Sequence, residues 1–305
     1  MTTQKDWSDY IEDYLAHLTL EKNLSDNTTE AYIRDLYLLE DFISAQYDIL
    51  PGEVEMSHIE AFLADLYEKK RSRASMARTL SGVRSFFNYL ADNNEIPVSP
   101  VELLESPKLN RKLPVVLSVE EIRRILETFD LSTPQGHRNR AMIETLYSCG
   151  LRVSELVNLR LGDLFFDDGY LRVTGKGDKQ RLVPVSREAV KQIGLYLDQR
   201  KHLPQDGKHK EIVFLNNRGR QLSRVMVFLI IKEAVEAAGI TKEVSPHTFR
   251  HSFATHLVQG GADIRVVQEM LGHESIATTE IYTHLNKEYL RQTLKNHPLA
   301  RLDDE

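Results

Sequence analysis

The chain is expected to be mainly α, an N-terminal four-helix domain followed by an α-rich C-terminal domain with a small antiparallel β-sheet. Three observations predict this. Apolar residues recur at helical spacing through most of the 305 residues. A proline-spaced polar stretch from Asn93 to Pro114 breaks that periodicity once. Two short β-type runs flank Gly175-Lys176-Gly177, where the glycines permit a tight turn.

The first helix, over residues 6–20, carries Trp7, Tyr10, Ile11, Tyr14, Leu15 and Leu18 at helical spacing. Ser25-Asp26-Asn27-Thr28 offers N-cap residues for a second, carrying Ala31, Tyr32, Leu36, Leu39 and Phe42. Met56–Glu68 and Ser75–Leu90 supply two more, with Ile59, Phe62 and Leu66 on one and Leu80, Val83, Phe86 and Phe87 on the other. These make a bundle over residues 1–107 without an enzyme-like constellation. Residues 108–117 read as an extended linker, after Pro97, Pro100 and Pro107 and through Lys108-Leu109-Asn110-Arg111-Lys112 to Pro114. The second domain spans 118–305.

In that domain Ser118-Val119-Glu120-Glu121 starts a helix through Ile122–Phe129. Arg138–Ser148 is a second, with Gly150 at its C′ position. Arg152 falls at the start of a third, Ser154–Leu159, where its guanidinium and the open N–H groups of the helix are placed to share an anion. Tyr170–Thr174 and Arg181–Val185 form the hairpin, from which Lys176 and Lys179 project. Ser186–Lys201 is helical, Ile212–Leu215 a further strand, and Val225–Ala238 a helix closed by Gly239.

The formal charge is −6, which argues against a uniformly basic coat, but the average hides an asymmetry. Residues 1–106 carry 9 Lys+Arg against 20 Asp+Glu, and the remainder carries 30 against 25. A basic C-terminal half suits a protein that meets polyanions mainly through one domain. Within the acidic half, Lys69, Lys70, Arg71, Arg73, Arg78 and Arg84 form a local basic run. The single cysteine, Cys149, excludes an internal disulfide and reads as a buried structural thiol. A polar N-terminus shows no signal peptide, and no stretch reaches the length of a membrane span, so a cytoplasmic protein is expected.

The chemistry concentrates between His247 and His284. Ser245-Pro246 caps a helix on which His247 and Arg250 lie about 60° apart around the axis, with Phe249 and Phe253 turned to the core. It ends at Gly260-Gly261. The next helix turns Ile264, Val267 and Leu271 inward and stops at Gly272, leaving His273 at its edge, and Tyr282 follows on a short segment. Metal ligation is one alternative, since His247 and His251 have zinc-like i,i+4 spacing. His256, however, lies about 180° around the helix from His247, and no HExxH or cysteine pair accompanies them. Gly175-Lys176-Gly177 is too short for a P-loop.

Arg152 within Gly-Leu-Arg-x-Ser-Glu, Lys176 in its Gly-Lys-Gly hairpin, His247-x-x-Arg250, Leu271-Gly272-His273 and Tyr282-Thr283-His284 together resemble the tyrosine recombinase (phage integrase) family, across the whole chain. The compact length and the tail Lys295-Asn-His-Pro-Leu-Ala are similar to the Xer-type members. The resemblance implies a SAM-like core-binding N-terminal domain and a C-terminal catalytic domain. It implies that Tyr282 attacks a DNA phosphodiester to form a 3′-phosphotyrosyl link, and that Arg152 and Arg250 grip the non-bridging oxygens, assisted by His273. His247 would exchange the proton of Tyr282, Lys176 would protonate the leaving 5′-oxygen, and Glu155 would orient Arg152. No cofactor or metal is implied.

Expected DNA-binding residues are Arg73, Arg78, Arg84, Lys179, Arg220 and Arg224. The implied partners are double-stranded DNA with a specific recombination site and a homo- or hetero-tetramer with a partner recombinase, with a DNA translocase as activator and no membrane. The segment Lys287–Leu299 reads as a helix donated to a neighbouring subunit or packed in cis. Resolution of chromosome or plasmid dimers is the expected role, with a mobile-element integrase or a type IB topoisomerase-like nicking-closing enzyme as alternatives.

Overall fold

The computed structural model describes residues 5–22, 24–102, 104, 115–175, 178–204 and 207–272. The chain divides into two compact units, Met1–Lys112 and Leu113–Glu305. In the first, α1 (Trp7–Leu20), α2 (Asp26–Gln46), α3 (Met56–Glu68) and α4 (Arg73–Asp92) pack around one apolar core. Asp6 and Ser72 cap α1 and α4 by accepting the N–H groups of Asp9 and Ser75. Trp7 lies in the core and donates its indole N–H to the Ile49 carbonyl at 2.9 Å, whereas Leu15 of the expected apolar stripe stands exposed.

An ion pair with a fully buried carboxylate ties two helices of this bundle. Asp35 on α2 is 0% exposed. Arg78 donates to its two carboxylate oxygens at 2.5 and 2.8 Å, and the Thr79 hydroxyl adds a third bond at 3.0 Å. A side chain on Gly82 would meet the same carboxylate at 3.3 Å, so the helices approach closely there.

The second unit contains α5 (Val119–Glu127), α6 (Pro134–Ser148), α7 (Val153–Val157), α8 (Arg187–Arg200), α9 (Arg224–Ala237), α10 (Pro246–Gln259) and α11 (Ile264–Leu271). A three-stranded antiparallel sheet in the order β1-β2-β3 is formed by Leu164–Phe165, Tyr170–Thr174 and Gln180–Pro184. Its β2–β3 register pairs Tyr170 with Pro184 and Val173 with Arg181. Leu117, at the end of the expected linker, is buried in this unit's core and donates its N–H to the Ser252 hydroxyl.

Two local expectations need correction, and one strand was not anticipated. Ile212–Leu215 is not a strand of the sheet: it makes isolated bridges, Arg160 with Ile212 and Leu215 with Gln221. Its β-like composition reflects burial, since Val213, Phe214 and Leu215 are all in the core. Ile264 does not face inward. It is 60% exposed in the first turn of α11, beyond the core edge, and Met270 joins Val267 and Leu271 in its place. The two-residue β1 is too short to show a period of two.

Replacing Arg78 by Ala leaves the buried Asp35 carboxylate short of its strongest partner. We expect a loss of about 3 kcal/mol in urea unfolding of the full chain, and an unchanged midpoint would count against this pair as a strut.

Candidate functional site

The site starts at a tight turn. α6 ends at Cys149, and Gly150 follows with a φ of +59°, a conformation that costs a side chain energy. A Cβ at Gly150 would lie 2.5 Å from the Phe253 ring and 3.0 Å from Leu271, so glycine is also required for space. The turn delivers Arg152 to the N-cap of α7. Its backbone N–H is taken by a Glu155 carboxylate oxygen at 2.8 Å, so the short helix start already holds an anion of the chain's own. Cys149 beside the turn is buried, and burial pushes its thiol pKa up to about 12, as suits a structural residue.

Glu155 has a side chain only 1% exposed. Besides the Arg152 backbone it accepts Arg152 Nη1 at 2.9 Å and a two-pronged contact from Arg181, with Nη1 at 2.6 Å and Nη2 at 3.0 Å. Burial alone would raise its pKa. The Arg181 hydrogen bonds and charge, then those of Arg152, outweigh this and hold the carboxyl below its ordinary range.

Arg250 comes from α10, on which Phe249, Phe253 and Leu257 fill the core. The sequence places Arg250 on a polar face, but it is 4% exposed. Its charge is compensated by main-chain carbonyls, with Nη1 donating to Gly150 at 2.7 Å and Nη2 to Leu271 at 2.5 Å. Burial, and then the neighbouring Arg152, lower its pKa to about 10. His247, three residues earlier, stands exposed at the start of the helix. Partial burial of its ring, then the charges of Arg250, His251 and Arg152, hold its pKa below 6.5 and favour the neutral imidazole. His256 serves the core: its Nδ1 lies 2.8 Å from the Tyr147 hydroxyl.

The last turn of α11 joins these groups. Three consecutive carbonyls each accept from a different arginine: Met270 from Arg181 at 3.2 Å, Leu271 from Arg250 at 2.5 Å and Gly272 from Arg152 at 3.0 Å. These are orphan acceptors at the negative end of a helix dipole, which guanidinium groups satisfy twice over. Gly272 then adopts a φ of +64° and directs the chain into position 273. The arrangement gathers two arginines of the sequence motif, Arg152 and Arg250, on adjacent carbonyls, with Glu155 between Arg152 and Arg181. Such a cluster is suited to a tetrahedral or trigonal-bipyramidal oxyanion.

Lys176, His273 and Tyr282, and the segment Lys287–Leu299, lie outside the described residues. Gly175 N–H bonds to the Lys179 carbonyl at 2.8 Å across the base of the hairpin. Of the expected DNA-binding residues, Arg73, Arg78, Lys179, Arg220 and Arg224 are exposed. Arg78 is the strut on Asp35, and half-buried Arg84 donates to the Leu104 carbonyl at 2.6 Å. The local basic run is therefore partly spent inside its own domain, with Lys69 also paired to Asp65. Arg181 was not anticipated. One signal was present: it faces Val173, which is buried, so by strand pairing it points inward and must have a charged partner.

Comparison with known proteins matches residues 115–289 to the phage integrase family and residues 11–94 to the phage integrase N-terminal SAM-like domain. Tyrosine recombinase XerD of Listeria monocytogenes is 41% identical over 296 residues, covering 96% of this chain and 100% of the relative. XerD of Chlorobaculum tepidum is 42% identical over 299 residues, covering 97% and 98%. Among solved structures, the XerH site-specific recombinase bound to a palindromic difH substrate, in a post-cleavage complex, aligns with a TM-score of 0.71 at 25% identity, covering 95% of this chain and 84% of that one. A lambda integrase dimer bound to a COC′ core site shares the fold, with a TM-score of 0.69 at 20% identity over 90% and 98% of the two chains.

Gly150→Ala combines a left-handed backbone with a clash against Phe253, so thermal or urea unfolding should show a loss of about 2 kcal/mol or more. Wild-type stability in that variant would show that the turn is not held as described.

Proposed function

The chain belongs to the phage integrase family and is a site-specific tyrosine recombinase of the Xer type, and we propose that Arg152 and Arg250 bind the scissile DNA phosphate while Tyr282 attacks it. The observation that carries this reading is the placement of both guanidinium groups on adjacent carbonyls at the end of α11, directly before His273. Tyr282 would give its proton to His247 and form a bond to phosphorus, and the bond to the 5′-oxygen would break as Lys176 protonates it. The products are a 3′-phosphotyrosyl ester and a free 5′-hydroxyl.

Each residue type fits its task. A phenol has an ordinary pKa near 10, so it needs a base and a cationic setting to react near neutrality. His247, held neutral by its surroundings, is in the state a base requires. The planar forks of Arg152 and Arg250 match two non-bridging oxygens better than ammonium groups do. They are held by carbonyls and Glu155 before substrate arrives, so little reorganisation accompanies charge build-up. His273 would add a hydrogen bond to the same oxygens. The ester keeps the energy of the bond that was cut, so rejoining to a partner 5′-hydroxyl is the reverse of the first step.

Exchange between two duplexes needs four such sites, which supports a tetramer on DNA, composed of this chain alone or with a second recombinase. The segment Lys287–Leu299 would link neighbouring subunits. Arg73, Lys179, Arg220 and Arg224 would contact DNA, with Arg78 and Arg84 contributing after their internal bonds. The identity to XerD relatives favours resolution of chromosome or plasmid dimers in the cytoplasm during cell division, with a DNA translocase as activator.

Incubation with a nicked suicide duplex in chelator should yield a covalent protein–DNA band on a denaturing gel, absent in Tyr282→Phe. A band that persists in the mutant would overturn the assignment of the nucleophile. At sub-saturating protein, where the rate reports the free enzyme, covalent-complex formation should hold as pH is lowered to 6.5, the ordinary histidine value, and fall only below it. A decline centred above pH 6.5 would contradict His247 as the base.

A further inference from the structure

Arg181 has no role in the chemistry set out above, yet it makes more hydrogen bonds than either Arg152 or Arg250 through its side chain. Its side chain is 10% exposed. Nη1 and Nη2 fork onto both oxygens of Glu155, and Nε donates to the Met270 carbonyl. A Cβ at Gly272 would lie 3.1 Å from Arg181 Cδ and Nε, so the last residue before His273 rests directly on this side chain. On the other side, a Cβ at Gly175 would lie 3.7 Å from both Arg181 Nη1 and Glu155 Oε1. Arg181 thus stands where three segments meet: the base of the hairpin that carries Lys176, the Glu155 carboxylate and the end of α11.

We propose that Arg181 is a positioning residue for strand cleavage, which holds Glu155 and the end of α11 so that Arg152 stays aimed at the phosphate. Each of its three donor nitrogens bonds to the protein, so it acts through Glu155 and the end of α11 rather than on substrate. The inference rests on the reading of Arg152 as a phosphate-binding group.

Two physical effects support it. The first is charge. Glu155 shared between Arg152 and Arg181 leaves the trio with one net positive charge, whereas Glu155 with Arg152 alone is a neutral pair. The second is geometry. With Arg181 forked across it, the carboxylate offers Arg152 only one oxygen for its side chain, and Arg152 Nη2 reaches the Gly272 carbonyl instead. Without that fork, Oε1 keeps only Arg152 Nη1 and Oε2 only the Arg152 backbone N–H, which leaves each room for a second bond from the Arg152 side chain, and that side chain would rotate onto Glu155 and away from the phosphate. Lysine restores the charge but not the fork.

The test compares wild type, Arg181→Lys and Arg181→Ala in single-turnover cleavage of a suicide duplex at saturating protein, with thermal melting of each. A second duplex carries a methyl group in place of one non-bridging oxygen of the scissile phosphate, which removes the charge that Arg152 is held to meet. Arg181→Lys should melt close to wild type, bind DNA as well, and cleave the ordinary phosphate about 10- to 100-fold more slowly. On the methyl-substituted duplex its deficit should shrink towards parity. An equal deficit on both duplexes, or wild-type cleavage by both variants, would overturn the proposal, as would a defect that vanishes on raising the protein concentration. If the wild-type protein formed no covalent complex at all, the reading of the site itself would fall, and this inference with it.

Discussion

The end of α11 is where the second unit solves its hardest electrostatic problem. Several guanidinium groups must sit close together without a bound anion to neutralise them. The chain meets that requirement with main-chain dipoles: three successive carbonyls, at Met270, Leu271 and Gly272, each accept one arginine. A helix C-terminus is an inexpensive partner for cations, because its last carbonyls lack intrahelical donors in any case. Arg250 can therefore be almost wholly buried with no carboxylate of its own among the described residues. Its burial also makes it rigid, since each prong is tied to a different backbone segment, Gly150 on one side and Leu271 on the other.

Glu155 performs the complementary task. It is a buried carboxylate held ionised by two arginines, and it fixes Arg152 through both the main chain and the side chain. The position of Gly150 links this group to the core: its left-handed turn fits against Phe253 and Leu271, residues of the two helices that carry Arg250 and precede His273. Core packing and site geometry therefore share the same atoms, and disturbance of one transmits to the other. Other buried arginines of this unit use the same device at structural positions. Arg138 donates to the Leu215 carbonyl, and Arg200 to those of Lys210 and Ile212.

Much of this was legible from the residues. Helices with a single apolar stripe, such as α1, α3 and α4, follow directly from their spacing, and the helix starts expected at Ser118 and Ser75 fall within two residues of those in the structure. Arg152, Glu155 and Arg250 belong to short motifs, so they could be named before any coordinates. Arg181 could not be picked out as readily, because its partners are 26 and 89 positions away in sequence and its neighbours Asp178, Lys179 and Gln180 read as an ordinary polar turn. Ile264 misled because periodicity gives the face of a helix but not where the core stops along it. The bond from Arg78 to Asp35 was not legible for a related reason: only the fold brings α2 and its buried carboxylate against that basic run.

The central claim is that two arginines anchored at the end of α11 are set in advance for one phosphate. The most direct measurement is a crystal structure of the Tyr282→Phe protein on an uncleaved duplex site. The account predicts non-bridging oxygens of the scissile phosphate within about 3.2 Å of both Arg152 and Arg250, with Arg181 still forked on Glu155 and the three carbonyl contacts kept. A phosphate held by other groups, or an Arg152 that reaches it only after the α11 contacts have broken, would contradict the claim.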